Sequence, residues 1–265
     1  PGKYWDMYDP DDMPIPNTLN AGDSMMENFL RNQLESGEAV RDTQMPYMAT
    51  EREIQEAMAL TFGMITMIDD QIGRVLKKLK ELNLDQNTII IFTSDHGDYM
   101  GDHGLMLKGP LHLHGMIRVP FLWSDPTVKS HNISSNLGQT IDISTSILER
   151  ANVKPYWGMQ GTSILDEIIG QTHKSRDSIL IEDDRQRINL GFTRFQKIRT
   201  LITQQYRCTI GYPDARDEIY DLINDPDELN NLWDNNPDIK NQLVDQLMRM
   251  MLEYQDPTPL ATAQA

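Results

Sequence analysis

The sequence predicts an α/β protein: a mainly parallel sheet flanked by helices, followed by a small subdomain with an antiparallel sheet and terminal helices. A long amphipathic segment, residues 51–84, runs into a short apolar segment, which is half of a β–α–β unit. A second apolar segment follows at residues 119–123. After residue 172, strand-like segments are separated only by short turns, so we expect them to pair antiparallel. We therefore divide the chain into a core, residues 1–172, and a subdomain, residues 173–265.

The helix predicted over residues 51–84 has one apolar stripe, in which large side chains recur every three or four positions. The members of the stripe are Ile54, Met58, Phe62, Ile65, Ile68, Ile72, Val75, Leu79 and Leu82. The polar residues 85–87 end the helix. Residues 88–92 then form a short, mostly β-branched run, which is typical of a strand that is covered on both faces.

Loops and shorter elements complete the predicted core. A polar loop at residues 94–118 separates the first strand from the second strand, and residues 141–151 are predicted to be a helix. A glycine-rich stretch, "GMQGTSIL", leads into a short apolar segment at residues 164–169. Residues 1–50 are rich in Pro, Asp, Asn and Met and show no periodicity, so we expect them to be irregular.

The subdomain is predicted to hold four strands, at residues 178–182, 195–203, 206–212 and 218–222. Residues 225–228 are predicted to begin a helix, because they combine a capping box with proline at the first helical position. Residues 236–238 repeat this chemistry before a terminal helix, and we expect the last ten residues to be disordered. The terminal helix would place the following residues on one side: Ile239, Leu243, Leu247, Met251 and Tyr254.

Charge and composition exclude several classes of function. The net charge is −16, the isoelectric point is near 4.7 and no cluster of Lys and Arg is present, so nucleic acid is not a predicted partner. No run of 18 apolar residues and no signal-peptide pattern is present. We therefore expect no membrane span and a soluble protein of the cytoplasm or periplasm. Cys208 is the single cysteine, which excludes an internal disulfide.

Ionisable residues cluster after the first predicted strand. Asp95 and His96 follow it directly, at the place where ligands bind in open α/β sheets. A carboxylate and an imidazole suit Mn²⁺, Mg²⁺, Ca²⁺ or Zn²⁺, and Gly97 lets the backbone turn tightly around the site. The alternative is that Asp95 caps a turn and His96 packs against it. Two ligands from one loop do not complete a coordination sphere, so a metal site would need further ligands from elsewhere.

The same loop carries other candidate residues. Lys108 has no salt-bridge partner at helical spacing and could offer its charge to an anion; the alternative is a solvated loop lysine. His112 and His114 share a face in an extended segment, so one of them could protonate a leaving group; the alternative is a pair of surface histidines. A structural role is favoured for the remaining ionisable residues: Asp98, Asp102 and His103.

Four quoted segments, taken together, point to a known family. They are "MITMIDDQIGRVLKKLKEL", then "NTIIIFTSDHGDYMGDHGLMLKG" followed by "IRVPFLW", and finally "DEIYDLINDPDELNNLW". In this order they resemble the sulfatase family of the alkaline phosphatase superfamily, in the branch with bacterial arylsulfatases and phosphonate monoester hydrolases. The resemblance extends from about Tyr4 to Trp233.

The resemblance implies the C-terminal part of an alkaline-phosphatase-like core and the hydrolysis of sulfate esters. By position, Asp95 and His96 would bind one divalent cation, Ca²⁺, Mn²⁺ or Mg²⁺. Lys108 would contact the sulfuryl or phosphoryl oxygens, and His112 would contact the leaving group. The implied substrate is a small-molecule sulfate ester, with a phosphonate or phosphate ester as the alternative. The resemblance leaves a homo-oligomer open.

The chain departs from the family pattern in one important respect. The motif whose first residue becomes formylglycine, Cys-x-Pro-x-Arg or Ser-x-Pro-x-Arg, is absent, and Cys208 does not match it because Thr209 and Ile210 follow. The early Asp pair of metal ligands is also absent, and the chain begins with Pro1. We therefore expect the C-terminal part of a sulfatase whose nucleophile lies in an N-terminal half, so that this part alone is inactive. A non-catalytic binding module is the alternative from another class.

Overall fold

The structure, a computed structural model, describes residues 2–41, 45–129, 132–171, 176–188, 191–213 and 217–255. Its helices are α1 (Met25–Ser36), α2 (Glu51–Glu81), α3 (His114–Ile117), α4 (Asp142–Arg150), α5 (Leu165–Ile168) and α6 (Pro237–Glu253). Its strands are β1 (Tyr47–Met48), β2 (Ile90–Thr93), β3 (Leu105–Met106), β4 (Phe121–Ser124), β5 (Ser178–Asp184), β6 (Lys197–Thr203), β7 (Tyr206–Tyr212) and β8 (Glu218–Asp221). They form a β1–β3 pair, a β2–β4 pair and a sheet in the order β5–β6–β7–β8.

Helix α2 confirms the predicted amphipathic helix. A capping box starts it: the Thr50 hydroxyl accepts a hydrogen bond from the Glu53 N–H, and the Glu53 carboxylate accepts one from the Thr50 N–H. Ile54, in the first turn, is completely buried. Much of the later stripe is exposed, so the helix buries its apolar side mainly near its beginning.

The side chains beyond that first part of α2, together with those of β2 and β4, make an open apolar face. Its exposed members are Phe62, Met64, Ile65, Ile68, Val75, Leu76, Phe92 and Leu122. A groove of about 670 Å³ runs between α2 and β2. The prediction that residues 88–92 are covered on both faces is therefore wrong for this chain, because Phe92 lies exposed.

The α/β class and the antiparallel C-terminal sheet are confirmed, but the two core strands are not parallel. β2 and β4 pair antiparallel, with Ile90 opposite Ser124 and Thr93 opposite Phe121. The physical reason lies in the connection between them. A parallel pair needs a crossover that returns the chain to the starting end of the sheet, usually through a long helix. The long helix α2 precedes β2, and the chain between β2 and β4 holds only short elements: a 3-10 turn at Asp102–Gly104, β3 and the single-turn helix α3.

Helix α1 lies in the region that the sequence predicted to be irregular, and that prediction is wrong for residues 25–36. Ser24 and Glu27 form a capping box at its start, and Gly37 ends it in the left-handed conformation, with φ of 77°. Met26 and Leu30 are buried against residues of the candidate site loop. Tertiary packing therefore stabilises a helix whose own apolar periodicity is short.

The C-terminal sheet and α6 share one core. Leu201 and Cys208 of the sheet are completely buried, and Leu243, Leu247 and Met250 of α6 pack against them. Asn236 caps α6 as predicted, since its side chain accepts a hydrogen bond from the Ile239 N–H. The buried side of α6 includes Met250, whereas the predicted Met251 is exposed.

Residues 225–228 form a turn, so the predicted helix start at this position is wrong. The Asp225 carboxylate accepts hydrogen bonds from the N–H groups of Leu229 and Asn230. Glu228 has φ of 53°, which no helix accommodates, and its side chain is buried against Arg207. A non-local ion pair therefore overrides the local capping signal.

Two further predictions concern residues that the structure does not describe. The boundary between residues 172 and 173 and the expected disorder of the last ten residues both lie outside the described ranges. Among the described residues, no helix is both long enough and apolar enough to cross a membrane.

Candidate active site

The candidate site begins where β2 ends, in the loop that starts at Ser94. The Gly97 N–H donates to the Met116 carbonyl of α3 over 2.8 Å. This hydrogen bond holds the loop against α3. A Cβ at Gly97 would overlap the carbonyl oxygen of Gly115. The close approach therefore requires glycine here, and it orients the two residues that precede it.

Asp95 presents an ionised carboxylate at this turn. Its Oδ1 accepts hydrogen bonds from the His96 N–H over 3.0 Å and from the Ser94 hydroxyl over 3.3 Å. The hydrogen bond from the His96 N–H lowers the pKa of Asp95. The side chain is 82% exposed, so its second oxygen is available to a ligand.

His96 brings the candidate residues together. Its Nδ1 lies 2.7 Å from the Gly97 carbonyl oxygen, and because that oxygen only accepts, Nδ1 carries the proton. Its Nε2 lies 3.0 Å from Lys108 Nζ and 3.4 Å from Asp95 Oδ2. The structure thus brings these three candidate residues together in one place. Asp95 supplies a carboxylate anion, His96 a nitrogen with a lone pair, and Lys108 an ammonium cation.

Tyr99, a residue that sequence reasoning missed, fixes the segment that carries Lys108. The Tyr99 N–H donates to the Leu107 carbonyl over 2.8 Å. Its hydroxyl donates to the Leu111 carbonyl and accepts from the Leu111 N–H, both over 2.9 Å. Tyr99 is buried, and burial raises the pKa of its hydroxyl. An aromatic residue inside a polar loop was the only signal in the sequence.

His112 does not join this group. It is 5% exposed, its Nδ1 lies 2.8 Å from the Thr200 hydroxyl of β6, and its Nε2 lies 3.6 Å from Asp183. A ring that is buried and engaged in this way cannot reach a leaving group in this conformation. The predicted leaving-group contact is therefore corrected to a structural contact with the C-terminal sheet.

His114 lies at the first position of α3. Its N–H donates to Glu228 over 2.7 Å, and its ring Nε2 accepts a hydrogen bond from Arg118 over 3.3 Å. Neither contact joins it to Asp95, His96 or Lys108.

The other ionisable residues of the loop, for which the sequence favoured a structural role, make hydrogen bonds that join parts of the fold. The Asp98 carboxylate accepts from the Met100 N–H, and Asp102 accepts from the Thr18 hydroxyl. His103 Nδ1 lies 2.9 Å from a Glu27 carboxylate oxygen, with both side chains buried. This pair connects the start of α1 to the loop.

The pair also shifts both pKa values. Burial alone would lower the pKa of His103, but the hydrogen bond and charge of Glu27 outweigh it and raise that pKa. Burial would likewise raise the pKa of Glu27, yet the hydrogen bonds from His103 and Ser24 lower it. The charged forms of both groups are therefore favoured.

The arrangement supplies only part of a metal site. A carboxylate oxygen and an imidazole nitrogen 3.4 Å apart suit a hard or borderline divalent cation. Across the described ranges, however, no group of three or more His, Cys, Asp or Glu side chains could hold a metal ion. Cys208 offers no nucleophile, because it is buried in β7 and burial raises its pKa to about 12.

Comparison with known proteins gives two family matches. The model of the sulfatase family matches residues 19–153. The model described as "N-sulphoglucosamine sulphohydrolase, C-terminal" matches residues 101–256. Together the two matches include the candidate loop, the β2–β4 pair and the C-terminal sheet.

Curated relatives include an arylsulfatase of Clostridium perfringens, 29% identical over 257 residues, which cover 96% of this chain and 50% of the relative. Arylsulfatase K of Canis lupus familiaris is 29% identical over 77% of this chain and 38% of its own length. The chain therefore spans about half, or less, of the length of these relatives.

Solved structures agree on the fold. The protein BT4656, in complex with its substrate D-glucosamine-2-N,6-O-disulfate, matches 80% of this chain and 44% of its own, with a TM-score of 0.70 and 25% identity. A phosphonate monoester hydrolase of Agrobacterium radiobacter matches 100% of this chain and 56% of its own, with a TM-score of 0.81 and 21% identity. The second likeness shows the fold alone.

Proposed function

Because this chain belongs to the sulfatase family, we propose that it is part of a sulfate ester hydrolase and supplies Asp95, His96 and Lys108 to the active site. The observation that carries the proposal is the meeting of these side chains at the end of β2. His96 Nε2 lies within 3.4 Å of the Asp95 carboxylate and 3.0 Å of Lys108 Nζ. A sulfate ester is a tetrahedral anion, and a cation on either side of it would stabilise its oxygens.

Asp95 and His96 are the residues that would hold a divalent cation, Ca²⁺, Mn²⁺ or Mg²⁺. Their fit rests on the exposed carboxylate and on the His96 tautomer, since the hydrogen bond to Gly97 leaves the lone pair on Nε2. When bound, the cation supplies positive charge that acts as a Lewis acid at this position. Lys108 would hold the ester oxygens by charge and hydrogen bonding.

The nucleophile belongs, in this proposal, to a segment outside this sequence. The sulfatase family generally uses formylglycine together with a divalent metal. The single cysteine is buried, and Asp95, His96 and Lys108 bind and orient rather than attack. The open apolar face supports the same idea, because soluble proteins rarely expose a contiguous apolar surface of this kind. The chain alone is then inactive.

The first substrate class to test is a small sulfated sugar. BT4656, at 25% identity, binds D-glucosamine-2-N,6-O-disulfate as its substrate. The three site residues recognise charge and do not by themselves separate a sulfuryl from a phosphoryl group. A phosphonate or phosphate monoester is therefore the second class to test.

The experiment uses the polypeptide that contains this sequence, purified from its host. We expect an intact mass well above 30.5 kDa and divalent-cation-dependent hydrolysis of 4-nitrophenyl sulfate. Lys108→Ala should lower kcat/KM by about 10²–10³-fold, as the loss of an oxyanion-stabilising group does. Lys77→Ala, which changes an exposed lysine of α2, is the matched control and should leave the rate unchanged.

Three outcomes would contradict parts of this proposal. A natural polypeptide of 30.5 kDa without activity would favour a non-catalytic binding module. Faster hydrolysis of a matched phosphonate ester would replace the sulfate ester as substrate. An unchanged rate for Lys108→Ala would remove Lys108 from the site.

A further inference from the structure

Hydrogen bonds between buried side chains join the segment that follows Lys108 to the C-terminal sheet. His112 Nδ1 lies 2.8 Å from the Thr200 hydroxyl, and that hydroxyl lies 2.8 Å from the hydroxyl of Thr209 on the neighbouring strand. Thr209 in turn accepts a hydrogen bond from Arg207 Nη1 over 2.9 Å. This series of contacts leads from the site loop into the middle of β6 and β7.

The connection then returns to the loop two residues further on. Arg207 Nε donates to Oε1 of Glu228, and Oε2 of Glu228 accepts the N–H of His114 over 2.7 Å. The contacts therefore form a closed circuit, which begins at the imidazole Nδ1 of His112 and ends at the backbone nitrogen of His114. We call it the polar ring, and its side chains are those of His112, Thr200, Thr209, Arg207 and Glu228.

Every side chain of the polar ring is removed from solvent. Arg207 and Thr200 are completely buried, and Glu228 is 2% exposed. Burying such charges costs several kcal/mol per ion, and a well-packed apolar cluster in their place is often equally stable or more stable. Glu228 also adopts a left-handed backbone, with φ of 53°, which is unfavourable for this residue. The ring is therefore weak evidence of a contribution to fold stability.

Lys108 lies between the polar ring and a second anchor. Tyr99 holds the backbone of Leu107 on one side of Lys108 and that of Leu111 on the other. Residues 112–114 follow at once and are held by the ring. The backbone that carries Lys108 is thus fixed from the site loop and from the C-terminal sheet.

We propose that the C-terminal sheet positions the candidate active site, with Thr200 and Glu228 as positioning residues for the segment that carries Lys108. Neither residue contacts substrate; each acts through the backbone and side chains of residues 112–114. The catalytic consequence rests on the proposed function, whereas the positioning itself is a property of the chain.

The test measures amide hydrogen exchange in the full chain, by mass spectrometry of peptides from residues 107–118. We expect Thr200→Val and Glu228→Gln each to speed exchange in this segment by about tenfold, the effect of one lost hydrogen bond to a buried group. Thr200→Ser keeps the hydroxyl and should restore the slow exchange. Ile219→Val is the matched control, since it loosens the same sheet core without touching the polar ring.

All variants are compared at the same free energy of unfolding, which is adjusted with denaturant. A general loss of stability is then not counted as faster exchange in residues 107–118. Exchange in residues 107–118 that rises no more than in Ile219→Val would overturn the proposal, as would a failure of Thr200→Ser to restore it. In the active polypeptide, Thr200→Val should lower kcat with little change in KM. If no ester is hydrolysed, the proposed function fails, but the exchange experiment still decides the positioning role.

Discussion

His96 is the residue whose two nitrogens organise the candidate site. Nδ1 is bonded to the Gly97 carbonyl, so Nε2 carries the lone pair, and in the structure that lone pair faces Lys108. A divalent cation at the same nitrogen would compete with the lysine ammonium, because like charges repel at this distance. The same lysine that would hold a substrate anion therefore weakens cation binding when no anion is present.

This competition gives a prediction for Lys108→Met in the full chain. Removal of the ammonium should tighten Mn²⁺ binding by about two- to tenfold, since one repulsive charge beside the ligand is lost. Paramagnetic broadening of the His96 ring signals during a Mn²⁺ titration measures the affinity. Lys77→Met is the control, and equal affinities for both variants would mean that the Lys108 ammonium does not repel a cation bound at His96.

The buried pair of His103 and Glu27 gives a prediction about pH. The pKa of Glu27 is lowered from 4.5, so its contribution to stability is present above pH 4.5 and is lost as the pH falls through its folded pKa. The pKa of His103 is raised from 6.5, so its contribution is present below pH 6.5 and is lost as the pH rises through its folded pKa. The pair should therefore stabilise the fold most between about pH 4.5 and 6.5.

Urea unfolding across pH 4–9 measures this effect. We expect Glu27→Gln to lower the free energy of unfolding by about 3–5 kcal/mol near pH 5.5, the cost of leaving a buried charge without its partner. The difference from the parent chain should shrink as the pH rises above the folded pKa of His103. A difference that stays constant from pH 5 to pH 9 would show that His103 is not charged in the pair.

At the scale of elements, the loop after β4 shows how a carboxylate joins a strand to a helix. Asp125 follows β4 and accepts hydrogen bonds from the N–H and hydroxyl of Thr127. Arg150, in the last turn of α4, donates to both oxygens of Asp125. These contacts, the Arg150 hydrogen bond above all, lower the pKa of Asp125 to about 2.

The ion pair between Asp125 and Arg150 can be tested by titrating Asp125 directly. Carboxyl ¹³C NMR of the parent chain should place the Asp125 pKa near 2, and Arg150→Gln should move it up toward 3.8. Asp125→Asn should lower the free energy of unfolding by about 1–3 kcal/mol at pH 7, where the contribution of an ionised carboxylate is fully present. An Asp125 that titrates near 3.8 in the parent chain would contradict the ion pair.

The elements that the sequence predicted well share one property: their signals are local. Helix α2 has a capping box and a long stripe, and β7 has the predicted bounds because turn-forming residues flank it in the sequence. Helix α1 was missed although Ser24, Glu27 and Gly37 form clear start and stop signals. Its apolar stripe was too short to stand out against irregular neighbours. The turn at residues 225–228 was mistaken for a helix start, because a buried contact to Arg207 outweighs a local cap.

At the scale of the whole molecule, the open apolar face is the dominant feature. Its side chains on α2, β2 and β4 resemble half of a core whose other half is absent among the described residues. The curated relatives are about twice as long or longer. A surface of this kind favours association with whatever apolar surface is available.

This face gives a prediction for the isolated chain. We expect it to self-associate at micromolar concentration and to bind the dye ANS, because apolar side chains remain in contact with water. Ile68→Glu, in the middle of the face, should reduce both effects. Sedimentation velocity measures the association, and Leu252→Glu, an exposed position on α6, is the control. A monomeric parent chain without dye binding would contradict the prediction.

The sequence by itself determined the segments and the chemistry of the loop. Apolar periodicity, caps and turn residues act between neighbours in the chain, so α2, the strands of the C-terminal sheet and the placement of Asp95 and His96 after a strand were readable from local pattern. Local pattern also identified Lys108 as a candidate. In the structure its ammonium group lies beside the His96 ring.

Only the tertiary structure decided which segments meet. His112 contacts Thr200 across 88 residues of sequence, and Glu228 contacts the backbone of His114 across 114 residues. A residue pattern shows which side of an element avoids water, but not which distant partner will cover it, because that choice depends on the packing of the whole chain. For the same reason the antiparallel direction of β2 and β4, and the burial of His112 away from the site, could be seen only once the chain was folded.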